Sequence, residues 1–212
     1  MIKKVVVLFL SIILVSFSVS VILKSAIGVG AWLAFSQTAS DLMVIKVGTF
    51  SMFMNITCVI AQIILRKEIK LTLILQVFLA VILGTLINFF YYDLLGDWSI
   101  SSYMMKIFFY FIGTISVAFA IGTVTAQNFI SFPLEGLCME IANKLNRPFG
   151  KIRQIVDILT IAGVLLLVVF FDGLMTVREG TVIGMIIFGP LLDLYMRYIK
   201  PIMIKFNVYS GY

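Results

Sequence analysis

The chain has 212 residues, of which 62% are hydrophobic and 12% charged, against roughly 25% charged in a soluble domain. A chain of this composition cannot cover itself with polar surface, so lipid must be its solvent, and its long apolar runs lack the alternation of a membrane barrel. It carries two cysteines, no histidine and a net charge of +6, which leaves no disulfide framework and no metal cluster to expect, and gives a charge that membrane orientation explains better than nucleic acid does.

Lys3 and Lys4 precede a first apolar run from Val5 to Leu23. A basic start and an apolar centre also describe a signal peptide, but the run is longer than a signal core, so a retained first span is expected. Lys24 to Lys46 follows, with Gly28 and Gly30 as breaks and a piece too short and polar to span. A second span is expected over Val47–Leu65 and a third over Leu71–Tyr92, joined by the basic loop at Arg66, Lys67 and Lys70. After a turn-rich loop with Trp98, a fourth span covers Met104–Ala126. The stretch Ser131–Asp157 then holds Pro133, Pro148, Glu135, Glu140, Arg153 and Asp157. The fifth span runs over Gly150–Phe171 and the sixth over Gly180–Ile199, with Gly189-Pro190 read as a break and residues 201–212 as a tail. With the N-terminus inside, twelve of the sixteen Lys and Arg residues fall on the inner side, which favours both termini in the cytoplasm.

Shifted by 102 residues, the chain lies on itself: the first span falls on the fourth, Gly48 on Gly150 and Asn55 on Asp157. The pairs Gly84-Thr85 and Gly180-Thr181 match if the second copy is six residues shorter. The expected fold is therefore all-α, with six transmembrane helices in two inverted three-span repeats, 1–102 and 103–200. Each repeat has a short helix that is interfacial or re-entrant. Three spans are an odd number, so the second copy sits upside down, and inverted repeats commonly hold a solute at their interface.

Three stretches carry a resemblance. IGVGAWLAFSQTASD resembles the pattern LGxGPWDxL, SFPLEGLCMEIANKLNRPFGKIRQIVD is similar to GPRDGLxxGLxxRTGxSxxxVRxxxE, and GTVIGMIIFGPLLDL resembles GTxxxAxxxGPxxxx. Together they resemble the YczE/YyaS/YitT group of bacterial membrane proteins, on its YczE side. Ala31 stands where that pattern has proline, Leu33 where it has an acid, and Ile130 to Phe132 lacks the second glycine pair. The resemblance implies a multi-span bacterial membrane protein and names no substrate.

Arg153 and Asp157 share one helix face at i,i+4, with Asp157 about 10 Å along the helix from Gly150. Such a pair is either a contact for a solute, ion or proton, or a self-satisfied pair whose arginine reaches back to the interface. Pro133 suits the start of a helix. That helix has an apolar stripe from Leu134 to Leu145, a Glu140–Lys144 pair, and Glu135 in its first turn. Asn55, Thr85, Asn88 and Thr181 lie in spans, where they line a site or bond neighbouring helices. Gly84, Gly113, Gly122, Gly163 and Gly184 are expected to let helices approach closely. The candidate solute-binding residues are Glu135, Arg153, Asp157, Asn55 and Asn88. No cofactor, metal ligand set or catalytic motif is expected, and no P-loop is present.

The inverted repeats and the charged residues Glu135, Arg153 and Asp157 are read as a bacterial inner-membrane transporter or permease-like protein for a small solute. The rival readings are a substrate-binding subunit energised by a separate ATPase and a non-transporting accessory or scaffold protein. The partners they imply are the bilayer, a small solute, and a second copy or a partner membrane or ATPase subunit.

Overall fold

The computed structural model describes residues 2–205 and Tyr209. Runs of apolar residues with few charges form helices because a helix satisfies every interior backbone group without water. The described residues form eight helices: α1 (Ile2–Ser25), α2 (Ala31–Leu42), α3 (Val47–Arg66), α4 (Leu71–Asn88, extended by a π-helical turn over Phe89–Leu94), α5 (Tyr103–Ala126), α6 (Pro133–Leu145), α7 (Phe149–Phe171) and α8 (Glu179–Lys205). Six of these are long and apolar enough to cross a bilayer, and the chain is an integral membrane protein. The other two, α2 and α6, are 12 and 13 residues long. At 1.5 Å per residue they reach about 18–20 Å, short of the roughly 30 Å hydrocarbon core.

The two halves share one backbone pattern. α2 and α6 begin 102 residues apart, at Ala31 and Pro133, and so do α3 and α7, at Val47 and Phe149. The left-handed residues that flank the short helices keep the same offset: Ala26 and Asn128 (φ 54° and 53°), then Val44 and Asn146 (φ 54° and 51°). Packing is reciprocal as well. α1 and α5 form the central pair, with α4 against α1 and α8 against α5. α2 packs on α3 of its own half and α7 of the other, while α6 packs on α7 and on α3. Each short helix is thus held between the second spans of both halves.

The last helices differ from expectation. Gly180-Thr181 sits in the first turn of α8, whereas Gly84-Thr85 lies deep in α4, so those pairs are not equivalent. Aligning the starts of α4 and α8 needs a longer second copy, because both α7 and the loop after it are longer than α3 and the loop before α4. Gly189-Pro190 does not break the last span either: α8 runs on through Pro190 and Pro201 to Lys205. A proline costs one intrahelical bond, which neighbouring groups and local adjustment can offset in a membrane helix. The expected tail at 201–212 is therefore helical at its start, and residues 206–208 and 210–212 lie outside the described residues.

Close helix contacts rest on small residues, since lipid tails offer no hydrophobic drive between helices and packing must supply the attraction. A Cβ on Gly113 would lie 2.5 Å from Ile22 Cγ1, which is why α1 and α5 approach so closely there. Gly48 and Gly84 do the same between α3 and α4, where a Cβ on Gly84 would meet the Gly48 carbonyl oxygen at 2.5 Å. Gly122, Gly163 and Gly184 likewise face side chains of neighbouring helices, on Tyr195, Phe35 and Tyr110.

Candidate functional site

A cavity of about 150 Å³ opens where the two halves meet. The first turns of both short helices reach it: Ala31, Trp32 and Leu33 from α2, and Leu134 and Glu135 from α6. α7 adds Arg153 and Asp157, α3 adds Ser51 and Asn55, and α5 and α8 add Tyr110 and Phe188. An engineered apolar cavity of about this volume holds benzene, so the space suits a solute of a few heavy atoms.

Arg153 is the centre of the polar wall. Its Nη1 donates to Glu135 Oε1 at 3.1 Å and its Nε to Asp157 Oδ2 at 3.4 Å. Its Nη2 lies 3.3 Å from Asp157 Oδ1, yet Oδ1 accepts no hydrogen bond, so that approach is electrostatic only. The guanidinium also stands 5.7 Å from the centre of the Phe188 ring. Glu135, Arg153 and Asp157 are 4%, 8% and 7% exposed. Arg153 therefore does not reach back to the interface. It ties α6 to α7 through a carboxylate on each.

Local sequence explains the placement. Pro133 opens α6 with an N–H it does not need. Glu135 falls in the first turn, where a carboxylate meets the positive end of the helix. A polar clamp sets the depth of that turn: Gln62 Nε2 donates to the Pro133 carbonyl at 3.0 Å and to Gln76 Oε1 at 2.8 Å, and Gln76 Nε2 donates to Ser131 Oγ at 3.1 Å. Glu140, which the sequence pairs with Lys144, instead pairs with Arg66 of α3. The far end of α6 is thereby fixed to the same helix that holds its start.

The offset of 102 residues exposes an asymmetry. Glu135, Arg153 and Asp157 correspond to Leu33, Ser51 and Asn55, and all six line the cavity. One wall is charged and its counterpart is neutral. Asn55 is buried and its Nδ2 donates to the Ser51 carbonyl at 2.9 Å.

The structure brings four of the five candidate residues together: Glu135, Arg153, Asp157 and Asn55. Asn88 is outside the cavity. Its Oδ1 accepts from the Gly48 N–H at 2.9 Å and its Nδ2 donates to Thr49 Oγ1 at 2.8 Å, so it clasps α4 to α3. Asn88→Ala should lower stability by about 1–2 kcal/mol, the usual net worth of the two hydrogen bonds it makes, and leave solute binding in place. Unfolding in detergent beside a binding titration checks both. Thr181 accepts from the Val29 N–H at 3.3 Å and locks the first linker to α8. Thr85 is exposed and bonds back to the Val81 carbonyl.

Gln62 and Gln76 were readable as polar residues inside apolar runs, a signal of helix bonding. Nothing in the sequence singled out Trp32, Tyr110 or Phe188, because aromatic residues are common throughout this chain and only the fold gathers these three.

No curated protein and no solved structure matches the chain. One family model does match, over residues 2–197. That span is nearly the whole chain, and the protein belongs to the family described as a family of unknown function, DUF6198.

Proposed function

We propose that this membrane protein is a transporter or permease-like protein of the bacterial inner membrane that carries a small solute through the cavity between two inverted repeats. One observation carries the reading: equivalent residues of the two halves line a single cavity, and the buried Glu135–Arg153–Asp157 cluster stands in its wall. Ionisable groups at membrane depth are costly and mark solute or ion paths by default. The two short helices are read as re-entrant segments whose first turns line that path, a setting in which irregular backbone at membrane depth is tolerated. Residues 1–102 and 103–200 are the two repeats, and the shared 102-residue offset of helix starts and left-handed turns supports them. The excess of Lys and Arg on one side supports cytoplasmic termini, and the linker motifs support a kinship with the YczE side of the YczE/YyaS/YitT group.

A thermal-shift screen of purified protein against small metabolites tests the reading. A solute at a hundred times its Kd should stabilise the wild type by about 2.7 kcal/mol, and Asp157→Asn should lose that response. The same solute should cross proteoliposomes that contain this protein alone, which separates a self-sufficient carrier from a subunit driven by an ATPase. Silence across a broad library, together with intact cellular function in Asp157→Asn, would leave the scaffold reading in its place.

A further inference from the structure

The charge count of the cavity has a direct consequence. Glu135 and Asp157 face one cation, Arg153, and among the described residues no other Lys or Arg is in the wall. With both carboxylates ionised the cluster holds one negative charge too many, and an uncompensated charge so deeply buried is strongly disfavoured. Asp157 is 7% exposed, and its Oδ1 is a buried acceptor without a hydrogen bond. The neutral counterparts across the cavity, Leu33, Ser51 and Asn55, bring no second cation. A proton or a cationic solute must supply it.

The rest of the wall favours an organic cation. Tyr110, Phe132, Phe188 and Trp32 line the same space, and aromatic faces attract ammonium groups. Trp32 Nε1 is a buried donor with no partner. The first turn of α2 has no side-chain cap and carries no acidic residue, so its amides also suit an acceptor oxygen. Both features call for a hydrogen-bond acceptor on the same solute.

We propose that the cavity takes a small organic monocation bearing an oxygen acceptor, and that this cation and a proton alternate as the charge that balances Glu135 and Asp157 against Arg153. This rests on the transport reading above. When the cation enters, one carboxyl O–H bond breaks and its proton passes to water; nothing is oxidised or reduced. When the cation leaves, a proton from water restores the O–H bond. Because one excess negative charge can hold only one of the two, the protein exchanges them.

The groups facing Asp157 are few. Arg153 lies on its own helix and Glu135 on α6, and Cys138, also on α6, is within electrostatic reach of all three. Cys58 on α3 lies within electrostatic reach of Glu135. α2 and α8 present Trp32, Leu33, Met185 and Phe188, none of which titrates at working pH, and Tyr110 stands on α5. The proton is thus assigned to the Glu135–Asp157 pair as a unit.

Trp32 provides its own reporter. The chain has two tryptophans, and Trp98 lies in the loop before α5, edge-on to Phe109 at 4.9 Å. The Trp98→Phe protein, full length in detergent, therefore shows Trp32 emission alone. It would be titrated with tetramethylammonium, tetraethylammonium and choline, with 3,3-dimethylbutan-1-ol as the uncharged match of choline and glycine betaine as a zwitterion.

Choline is expected to change the emission saturably and to bind at least about tenfold more tightly than the alcohol or the betaine. Its apparent Kd should rise about tenfold for each pH unit lowered through the titration of the pair, the signature of one competing proton. Asp157→Asn should abolish both the response and the pH dependence, and Glu135→Gln serves as the second variant if the first does not fold. Equal binding of the alcohol or betaine, a pH-independent Kd, or no response to any of the three cations overturns the proposal. Cation binding without flux in proteoliposomes would instead sink the transport reading and leave only the competition of cation and proton for the site. Uptake of an uncharged or anionic solute, with no cation bound, would do the reverse.

Discussion

Arg153→Ala is expected to destabilise the protein by about 3–5 kcal/mol, the cost of removing one partner from a buried ion pair. The guanidinium bonds Glu135 on α6 and Asp157 on α7, and all three groups are nearly inaccessible. Its loss strands two carboxylates within one cavity, each without its main partner. The comparison that isolates this cause is a triple variant, Glu135→Leu, Arg153→Ser and Asp157→Asn, which gives the second half the residues its counterpart positions already carry. Replacing a whole buried charge cluster with well-packed hydrophobic residues of similar volume is often neutral or stabilising, and Leu, Ser and Asn here leave no charge unpaired, at the expense of volume at Arg153. The triple variant should therefore unfold within about 1–2 kcal/mol of wild type while losing every solute response. Unfolding by denaturing detergent, followed by circular dichroism, measures both proteins. A triple variant as unstable as Arg153→Ala would mean that packing of the long side chains, rather than unpaired charge, holds α6 to α7.

Gly28→Ala should cost more than about 3 kcal/mol, from two sources that add. Gly28 has φ +125°, a conformation that a side chain adopts only under strain of roughly 1–3 kcal/mol. Its new Cβ would also lie 2.7 Å from the Thr181 backbone nitrogen, and backbone there cannot step aside. The Gly180 N–H donates to the Ile27 carbonyl at 2.9 Å, Tyr110 donates to the Gly180 carbonyl, and Thr181 accepts from Val29. The substitution would push the first linker off the start of α8 and disturb the cavity through Tyr110. Gly30→Ala is the control: among the described residues, its chain neighbours aside, no atom lies within 4 Å of its added Cβ. It should fall within about 1 kcal/mol of wild type. Equal losses at the two glycines would point to the general flexibility of the loop rather than to this contact.

The sequence carried the spans well because each is a simple length of apolar chain, and the six predicted runs coincide with the six long helices to within a few residues at most ends. The offset of 102 residues was also legible, through Gly48 and Gly150 and through Asn55 and Asp157. It misled at Gly84-Thr85 and Gly180-Thr181, where like residues serve unlike places: Gly84 packs against α3 while Thr85 is exposed, and the other pair closes a linker at the start of α8. Asn88 misled for a related reason. A polar residue in a span must bond something, but whether that is a solute or the next helix depends on which way it faces.

Membrane class and the number of helices able to cross are properties of single segments, and composition and length determine them because every segment meets lipid on its own terms. The meeting of Glu135 with Arg153, the facing of both short helices into one cavity, and the neutral wall of Leu33, Ser51 and Asn55 opposite the charged one were decided only by tertiary structure. These relations join residues far apart in the chain, and they arise from the reciprocal packing of α2 on α7 and α6 on α3. No local pattern encodes which buried charge will find which partner, because that choice is made by close packing and by the need to pair charge away from water.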